Sequence, residues 1–429
     1  MAIPGVTTAI RDRFYTVSRS SATPGPRVVA VAKRTTNDGT EGAYDLSAFR
    51  ATNEKDVVDA FGQGSPLHKA FLELVLAGAE RVYLVPLPAD TVFDYSAGTI
   101  TSSSHGGTAA DLMDDAFAAA ESVKPTTILA WGRGAHPADY DDPDGSAATP
   151  SDPDAFNADG DISFGFYADN SSAAASSFAY KVAAQARRIS EESFPCIAVM
   201  GVKPYVGSTE QMTPAQVSTH IGLPNLTNRD SSDLFREVGP YIAVVASEIK
   251  PVNYSFGGED FGYSNGAAHL AASITRMPAS TSLVNQPVYN VQSLRYAPTK
   301  TQRSNLSDRG VNTIMVNFSN AAVYSDSLTF GQSTSDYTRL TTKRIIDEAT
   351  RLVRNQCERF VGQPSNLQTR NSMETSISSA LRGMQLLGAL LASDFAVTYI
   401  PNQNKAIVDL VLTPAFELKN IEVQVAISL

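Results

Sequence analysis

Cysteine, tryptophan and histidine are scarce in this 429-residue chain, at two, one and five. Two cysteines, Cys196 and Cys357, cannot build a disulfide framework or a Cys-based zinc cluster, although a single bridge stays open at this point. The histidines His68, His105, His136, His220 and His269 show no His-x-x-x-His spacing. There is no Walker-type loop, and no G-x-G-x-x-G follows a strand, so neither metal nor cofactor is expected. Basic charge is also in short supply: 34 Lys and Arg against 44 Asp and Glu give a net −10. That sign argues against a general nucleic-acid binder. The longest near-apolar run, Leu386–Ala392, stops at Ser393-Asp394 and is too short to span a bilayer. The opening MAIPGVTTAIRDRFYTV has no basic segment followed by an apolar one, so no secretory signal is read and the chain is expected to be soluble and made in the cytoplasm.

What is present is ordinary for a folded protein: 43% hydrophobic and 18% charged residues. At about 100–200 residues per domain, the length suggests two or three domains. Met1–Pro26 has no sustained core pattern and ends in the turn-rich Thr23-Pro24-Gly25-Pro26, which makes it a candidate arm. Arg27–Ala32 is a short apolar β-branched run and reads as a buried strand. Residues 55–77 read as a helix in two pieces broken at Gly62–Pro66, with Leu67, Phe71, Leu74 and Val75 on one face of the second piece and Gly78 as the stop. Strands at Arg81–Val85, Thr127–Ala130, Cys196–Met200 and Tyr241–Val245 alternate with helices at 109–121, 173–190 and from near Thr213. This alternation predicts an α/β layer with a largely parallel sheet. Residues 134–180 interrupt it with nine Asp and no Lys or Arg, and read as a long solvated loop.

The last third has another texture. Gly310–Val316 reads as a strand. Residues 340–361 form the clearest helix, with the stripe Ile346, Ala349, Val353, Cys357 and Phe360 widened by Ile345 and Leu352. A second helix is expected over 372–391, with Asn371 and Glu374 at capping-box spacing and the stripe Met373, Ile377, Leu381, Met384, Leu387 and Leu391. Strands at Phe395–Ile400 and Ala406–Leu412 are joined by Pro401–Lys405 as a hairpin. Finally, Ile421, Val423, Val425, Ile427 and Leu429 alternate with less apolar residues, a period-two strand at the end of the sequence.

Chemistry-bearing patterns are few. Gly262-Tyr263-Ser264-Asn265-Gly266 fits G-x-S-x-G, the signature of an α/β hydrolase using Ser264 as nucleophile. The preceding segment is a polar, Gly-rich loop rather than a strand, and the sole downstream histidine, His269, lies one helical turn away with no carboxylate between. The competing reading is a Gly/Ser loop ahead of a helix starting near Ala267. The Asp-rich loop offers Tyr140–Gly145 and Ala155–Gly160, and neither fits an EF-hand, which leaves weak cation binding as the remaining site reading there. Cys196 and Cys357 both sit in apolar settings and read as inert core thiols. On the 340–361 helix, Lys343, Arg344, Arg351, Arg354 and Arg359 lie opposite the apolar stripe. They read either as a solvated face with Asp347–Arg351 and Glu348–Arg351 pairs, or as a basic docking strip for an acidic partner. The terminal strand reads either as the last strand of its own sheet, the commoner case, or as a projecting strand that pairs with another subunit, and the extended segment Val6–Val17 lacks a core of its own. Two such ends suggest exchange between protomers, which is head-to-tail and gives helical filaments when it does not close.

In their order along the chain, these segments resemble the contractile phage tail sheath family. Ile3-Pro4-Gly5-Val6 and Gly25–Ala32 look like its arm and first strand, and Phe61–Leu67 followed by Gly78–Val85 is similar to its helix–strand unit. Ser264–Ala272, Asp308–Ile314, the 340–361 helix and Leu418–Leu429 complete the pattern. The resemblance departs after Met277, where an Asp-x-x-x-Gly-x-Trp pattern is missing, and at Val323–Thr329, which lacks Trp-Gly-x-Arg-Thr. It implies a non-enzymatic structural protein with an N-terminal arm at 1–24, an outer α/β sandwich domain at 25–300 (carrying the Asp-rich loop 134–170), an inner α+β domain facing a tube at 301–417, and a C-terminal arm strand at 418–429. It further implies hexameric rings stacked helically around a tail tube, with baseplate and tail terminator proteins as partners and no direct nucleic acid or membrane contact. The location implied is a phage virion tail, assembled in the host cytoplasm, that contracts for genome ejection. Ile3, Val6 and Thr8 would belong to one inter-subunit arm and Ile421, Val423, Val425 and Ile427 to the other, while the basic strip would face the tube.

Overall fold

The computed structural model describes residues 10–11, 14–15, 26–34, 45–94, 99–102, 112–130, 178–201, 234–256, 259–264, 266–294 and 297–415. The centre is a seven-stranded sheet. Its members are β3 (Val28–Lys33), β4 (Phe49–Ala51), β5 (Val82–Leu87), β8 (Thr127–Ala130), β9 (Ile197–Gly201), β10 (Ile242–Val245) and β15 (Val311–Asn312), in the order β15-β10-β9-β8-β3-β5-β4. All neighbours run parallel except β4, which is antiparallel to β5 at one edge.

Because side chains alternate along a strand, each β-branched run feeds two cores. Val29, Val31, Ile128, Ala198 and Val244 face α3 (Met113–Ser122) and α4 (Phe178–Glu192). Val28, Ala30, Leu129, Val199 and Val245 face α1 (Glu54–Phe61), α2 (Pro66–Leu76) and α6 (Ala267–Arg276). The short α5 (Leu234–Val238) leads into β10. Helix ends follow local chemistry. Asn53 accepts from the Asp56 N–H and Ser65 from the His68 N–H, so both pieces of the expected 55–77 helix start on a side-chain cap. Gly78 (φ +89°) ends α2, as expected. Val75, expected on the buried face, is 45% exposed. At Gly239 a Cβ would stand 2.6 Å from the Phe330 carbonyl oxygen, so only glycine fits the turn before β10.

Small antiparallel pairs decorate this body: β6 (Val92–Asp94) with β7 (Thr99–Thr101), β11 (Ile249–Pro251) with β14 (Val291–Leu294), β12 (Ser255–Phe256) with β13 (Glu259–Asp260), and β16 (Ile314–Val316) with β17 (Ala322–Tyr324). A capped helix, α7 (Lys300–Ser307), precedes β15. Residues 301–340 were expected in the C-terminal unit. Instead Val311 pairs with Val244, and Ile314, Tyr324 and Leu340 are buried in the α2/α6 core.

A third core begins at Tyr337 and Ile345. It lies between α8 (Leu340–Glu358), α9 (Leu367–Leu386) and one face of a ribbon formed by β18 (Leu390–Ile400) and β19 (Lys405–Pro414). The apolar stripes of both helices are buried there down to Met384. Helix α9 starts five residues before the expected position: Asn366, not Asn371, is the cap, accepting from the Thr369 N–H at 2.8 Å. Its first turn carries a 76%-exposed Leu367, so no apolar period marks the start. It also ends before Leu387 and Leu391, which are exposed. The N-terminal strands β1 (Ile10–Arg11) and β2 (Phe14–Tyr15) complete a four-stranded sheet in the order β1-β2-β19-β18.

Candidate assembly surface

The β18–β19 ribbon pairs almost without interruption from Ser393↔Leu412 to Ile400↔Lys405, with one irregularity between Leu390 and Ala392. The connection Pro401–Asn404 closes it with Asn404 in the left-handed region (φ +49°). Phe395, Val397, Tyr399, Val408, Leu410 and Leu412 point to the helices. On the opposite face Asp394 stands across from Val411, Ala396 from Asp409 and Thr398 from Ile407, and these residues are exposed or half-buried. β18 carries no partner on its outer edge among the described residues. Over its 11 residues that edge has one charge, Asp394, and no proline or lysine. Such an edge presents a ladder of N–H and C=O groups about 35 Å long to an incoming strand.

On the other side of the ribbon, Tyr15 pairs with Leu410 of the same chain. The N-terminal segment Val6–Val17 was expected to leave its own body. At Phe14–Tyr15 that expectation is corrected, because β19 supplies an edge within reach of its own N-terminal segment. Ile3, Val6 and Thr8, like Ile421, Val423, Val425 and Ile427, lie outside the described residues. The chain leaves β19 at Ala415, whose N–H donates to the Ala389 carbonyl.

The basic strip of α8 is corrected more sharply. Lys343, Arg344 and Arg354 are buried, at 1%, 6% and 0% exposure. Arg344 donates to the carbonyls of Ile274, Met277, Pro278 and Thr281, at and just beyond the C-terminus of α6. Arg354 donates to the carbonyls of Ser190, Glu191 and Ser193 at the C-terminus of α4. The last carbonyls of a helix lack intrahelical partners and carry the negative end of its dipole, so a guanidinium is a fitting buried cap. Burial draws both guanidinium groups down to about 10, which leaves them charged at neutral pH. Lys343 pairs with Asp347 and lies 4.4 Å over the Tyr241 ring. Burial pushes the Asp347 carboxyl up, and Lys343 and Arg354 draw it part of the way back. Asp347 therefore pairs with Lys343 rather than with Arg351, whereas the Glu348–Arg351 pair forms as expected. Arg351 is part-buried, and Arg359 alone of the five is exposed.

The expectation failed because charge was equated with solvent. One signal was available: Lys343, Asp347, Thr350 and Arg354 recur at i, i+4, i+7 and i+11, the spacing of a buried seam, with both signs represented. All four are buried.

Ser264 is fully buried. Its hydroxyl donates to Glu73 Oε2 at 2.6 Å, and its backbone pairs with Ile249 in an isolated bridge. Gly262 and Gly266 take positive φ around it (+73° and +76°), and α6 starts at Ala267 as expected. His269 is buried on α6, and the loss of solvent drags its imidazole down to about 4, only partly opposed by the Tyr289 backbone. A serine tied to a carboxylate inside the core is no exposed nucleophile. Cys196 and Cys357 are free and buried, each raised to about 12 by desolvation, as core thiols should be. The Asp-rich loop and the helix expected from Thr213 lie outside the described residues. Among the described residues there is no cluster of His, Cys, Asp and Glu fit for a metal, and no helix long and apolar enough to cross a membrane.

No protein-family model and no curated sequence matches this chain. Solved structures do. The helical sheath of the anti-feeding prophage in its contracted state is similar at 15% identity, with 99% of this chain and 96% of that one covered and a TM-score of 0.58. The contracted PVC sheath complex of an extracellular contractile injection system is similar at 12% identity, 99% and 98% coverage and a TM-score of 0.59. A sheath tail protein from Listeria innocua is similar at 13% identity, 92% and 93% coverage and a TM-score of 0.54. At such identities the likeness is one of fold, and it spans both the seven-stranded sheet and the C-terminal ribbon: this chain has the fold of contractile tail sheath proteins.

Proposed function

We propose that this protein is a structural subunit of a contractile tail sheath, polymerising helically around a tail tube and contracting to drive it through an envelope. The observation that carries the reading is the long, nearly uncharged edge of β18 on a chain whose fold matches sheath proteins end to end. An open edge is satisfied by strand addition, with backbone hydrogen bonds supplying cohesion and alternating side chains supplying register. The period-two segment Ile421–Leu429 suits that role, with Ile421, Val423, Val425 and Ile427 on one face, and Ile3, Val6 and Thr8 begin the corresponding N-terminal arm. On this reading the ribbon and its helices form the inner part, facing the tube, and the seven-stranded sheet forms the outer part. Copies stack as hexameric rings, with baseplate and terminator proteins at the ends, in a tail or a headless injection particle. Arg359 is the exposed remnant of the tube-facing strip.

The test is negative-stain microscopy of the full chain, alone and with its tube protein, beside a chain lacking residues 419–429. Sleeves from the full chain and a folded, non-polymerising truncated chain are expected. A full chain that stays monodisperse at high concentration with the tube present would overturn the reading, and long sleeves from the truncated chain would remove the arm's role in it.

A further inference from the structure

The β16–β17 hairpin ends in Asn317-Phe318-Ser319-Asn320-Ala321, and the Phe318 ring stands clear of the body at 113% exposure, while Val316 beside it is 41% exposed. The tip is not a slack loop. Asn317 Oδ1 accepts from the Ser319 and Ala321 N–H groups at 2.9 and 3.0 Å, the Asn317 N–H donates to the Ala321 carbonyl at 2.9 Å, and Asn320 takes the left-handed conformation (φ +58°). The base of the hairpin is bolted to the body. Ile314 and Tyr324 are fully buried, the Ile314 N–H donates to Ser247 Oγ at 2.7 Å, and the Tyr324 hydroxyl meets Ser273 Oγ at 3.0 Å. A large ring held out on a rigid stalk has already lost the freedom that docking would otherwise remove.

We infer that Phe318 is an anchor that inserts into an apolar surface of a second copy of this chain. Charge selects that occupant. Residues 310–325 contain no Asp, Glu, Lys, Arg or His, on a chain of net charge −10. A basic partner would be drawn to carboxylates and an acidic one to lysines or arginines, and the tip offers neither. Two copies that repel each other through the rest of their surfaces meet at least cost where the charge density is nil. The contact joins a protruding tip to a different surface, so it is heterologous and compatible with open-ended helical growth. In that respect the inference rests on the sheath reading, but Phe318 pairing between copies is separable from it.

The experiment uses the full chain in three forms: unchanged, Phe318→Ser and Phe318→Leu, with sleeve formation followed against concentration, plus a fourth form carrying photoreactive benzoylphenylalanine at position 318. Phe318→Ser should keep the melting temperature of the parent, since the ring is fully exposed among the described residues, yet raise the concentration needed for assembly by about tenfold or more. Phe318→Leu should recover most of that loss. Irradiation should yield a dimer of this chain. Sleeves formed by Phe318→Ser at the parent's concentration, with no dimer on irradiation, overturn the anchor and leave the sheath reading standing. A parent that forms no sleeves but still gives the cross-linked dimer overturns the sheath reading and leaves the anchor. Cross-linking to tube protein alone, or to no copy of this chain, overturns the anchor.

Discussion

The two main sheets of this protein are handled in opposite ways. The seven-stranded sheet sends apolar side chains to both faces, each face is roofed by helices, and its edge strands are short, at two and three residues. The β18–β19 ribbon is roofed on one face and, among the described residues, has no cover on the other and no partner along the 11-residue edge of β18. A parallel sheet finishes its hydrogen bonding within one chain, and an exposed antiparallel edge leaves it for another. On the proposed reading the ribbon serves strand addition while the α/β body carries the bulk of the core, and α8 is where the two meet, apolar toward the ribbon and ion-bonded toward the body.

Breaking that joint should produce the largest effect. Arg354→Ala strips three helix-terminal carbonyls of their donor and removes a cation near Asp347, so a loss on the order of 3–5 kcal/mol is expected in urea unfolding. Arg344→Ala should follow closely, and the double variant should split one calorimetric transition into two. A single unshifted transition would mean that α8 does not couple the regions.

Acid is expected to act on the body through a buried histidine. His269 has a folded value of about 4, below the ordinary 6.5, so the unfolded chain binds the proton first. Stability on this account is full above pH 6.5 and falls by about 3 kcal/mol as the pH drops to 4. His269→Gln should flatten that part of the pH profile, and an unchanged slope would assign it to carboxylates instead.

A smaller effect is expected at Ser264. Ser264→Ala removes the hydroxyl that donates to the buried Glu73 Oε2 and should cost about 1–3 kcal/mol. Activity on simple esters should be nil in both forms, and activity lost specifically in the variant would revive the hydrolase reading. Smallest of all, Arg359→Glu on the exposed end of α8 should change stability by less than about 0.5 kcal/mol. Equal losses at Arg359 and Arg354 would erase the distinction between a surface charge and a buried cap.

Much of the α/β body was legible because β-branched runs such as Val28–Val31 and Ile242–Val245 have no comfortable place except a doubly covered strand. The two-piece helix at 54–76 was legible from Gly62–Pro66, where backbone chemistry is local. The start of α9 was not, because Asn366 and Asn371 are equally good caps and an exposed Leu367 breaks the periodic signal. Nor was the fate of Arg344 and Arg354, whose partners lie 63–70 and 161–164 residues away. A guanidinium reads as surface until the helix end it caps is known. The same holds for Ser264, whose partner Glu73 is 191 residues distant.

The burial of α8 on both faces has a mechanical corollary. Among the described residues, the passage from body to ribbon through α8 offers no slack tether: that frontier runs through the interior of a single 19-residue rod. A pull on the ribbon's strands is therefore delivered along that rod into the ends of α4 and α6.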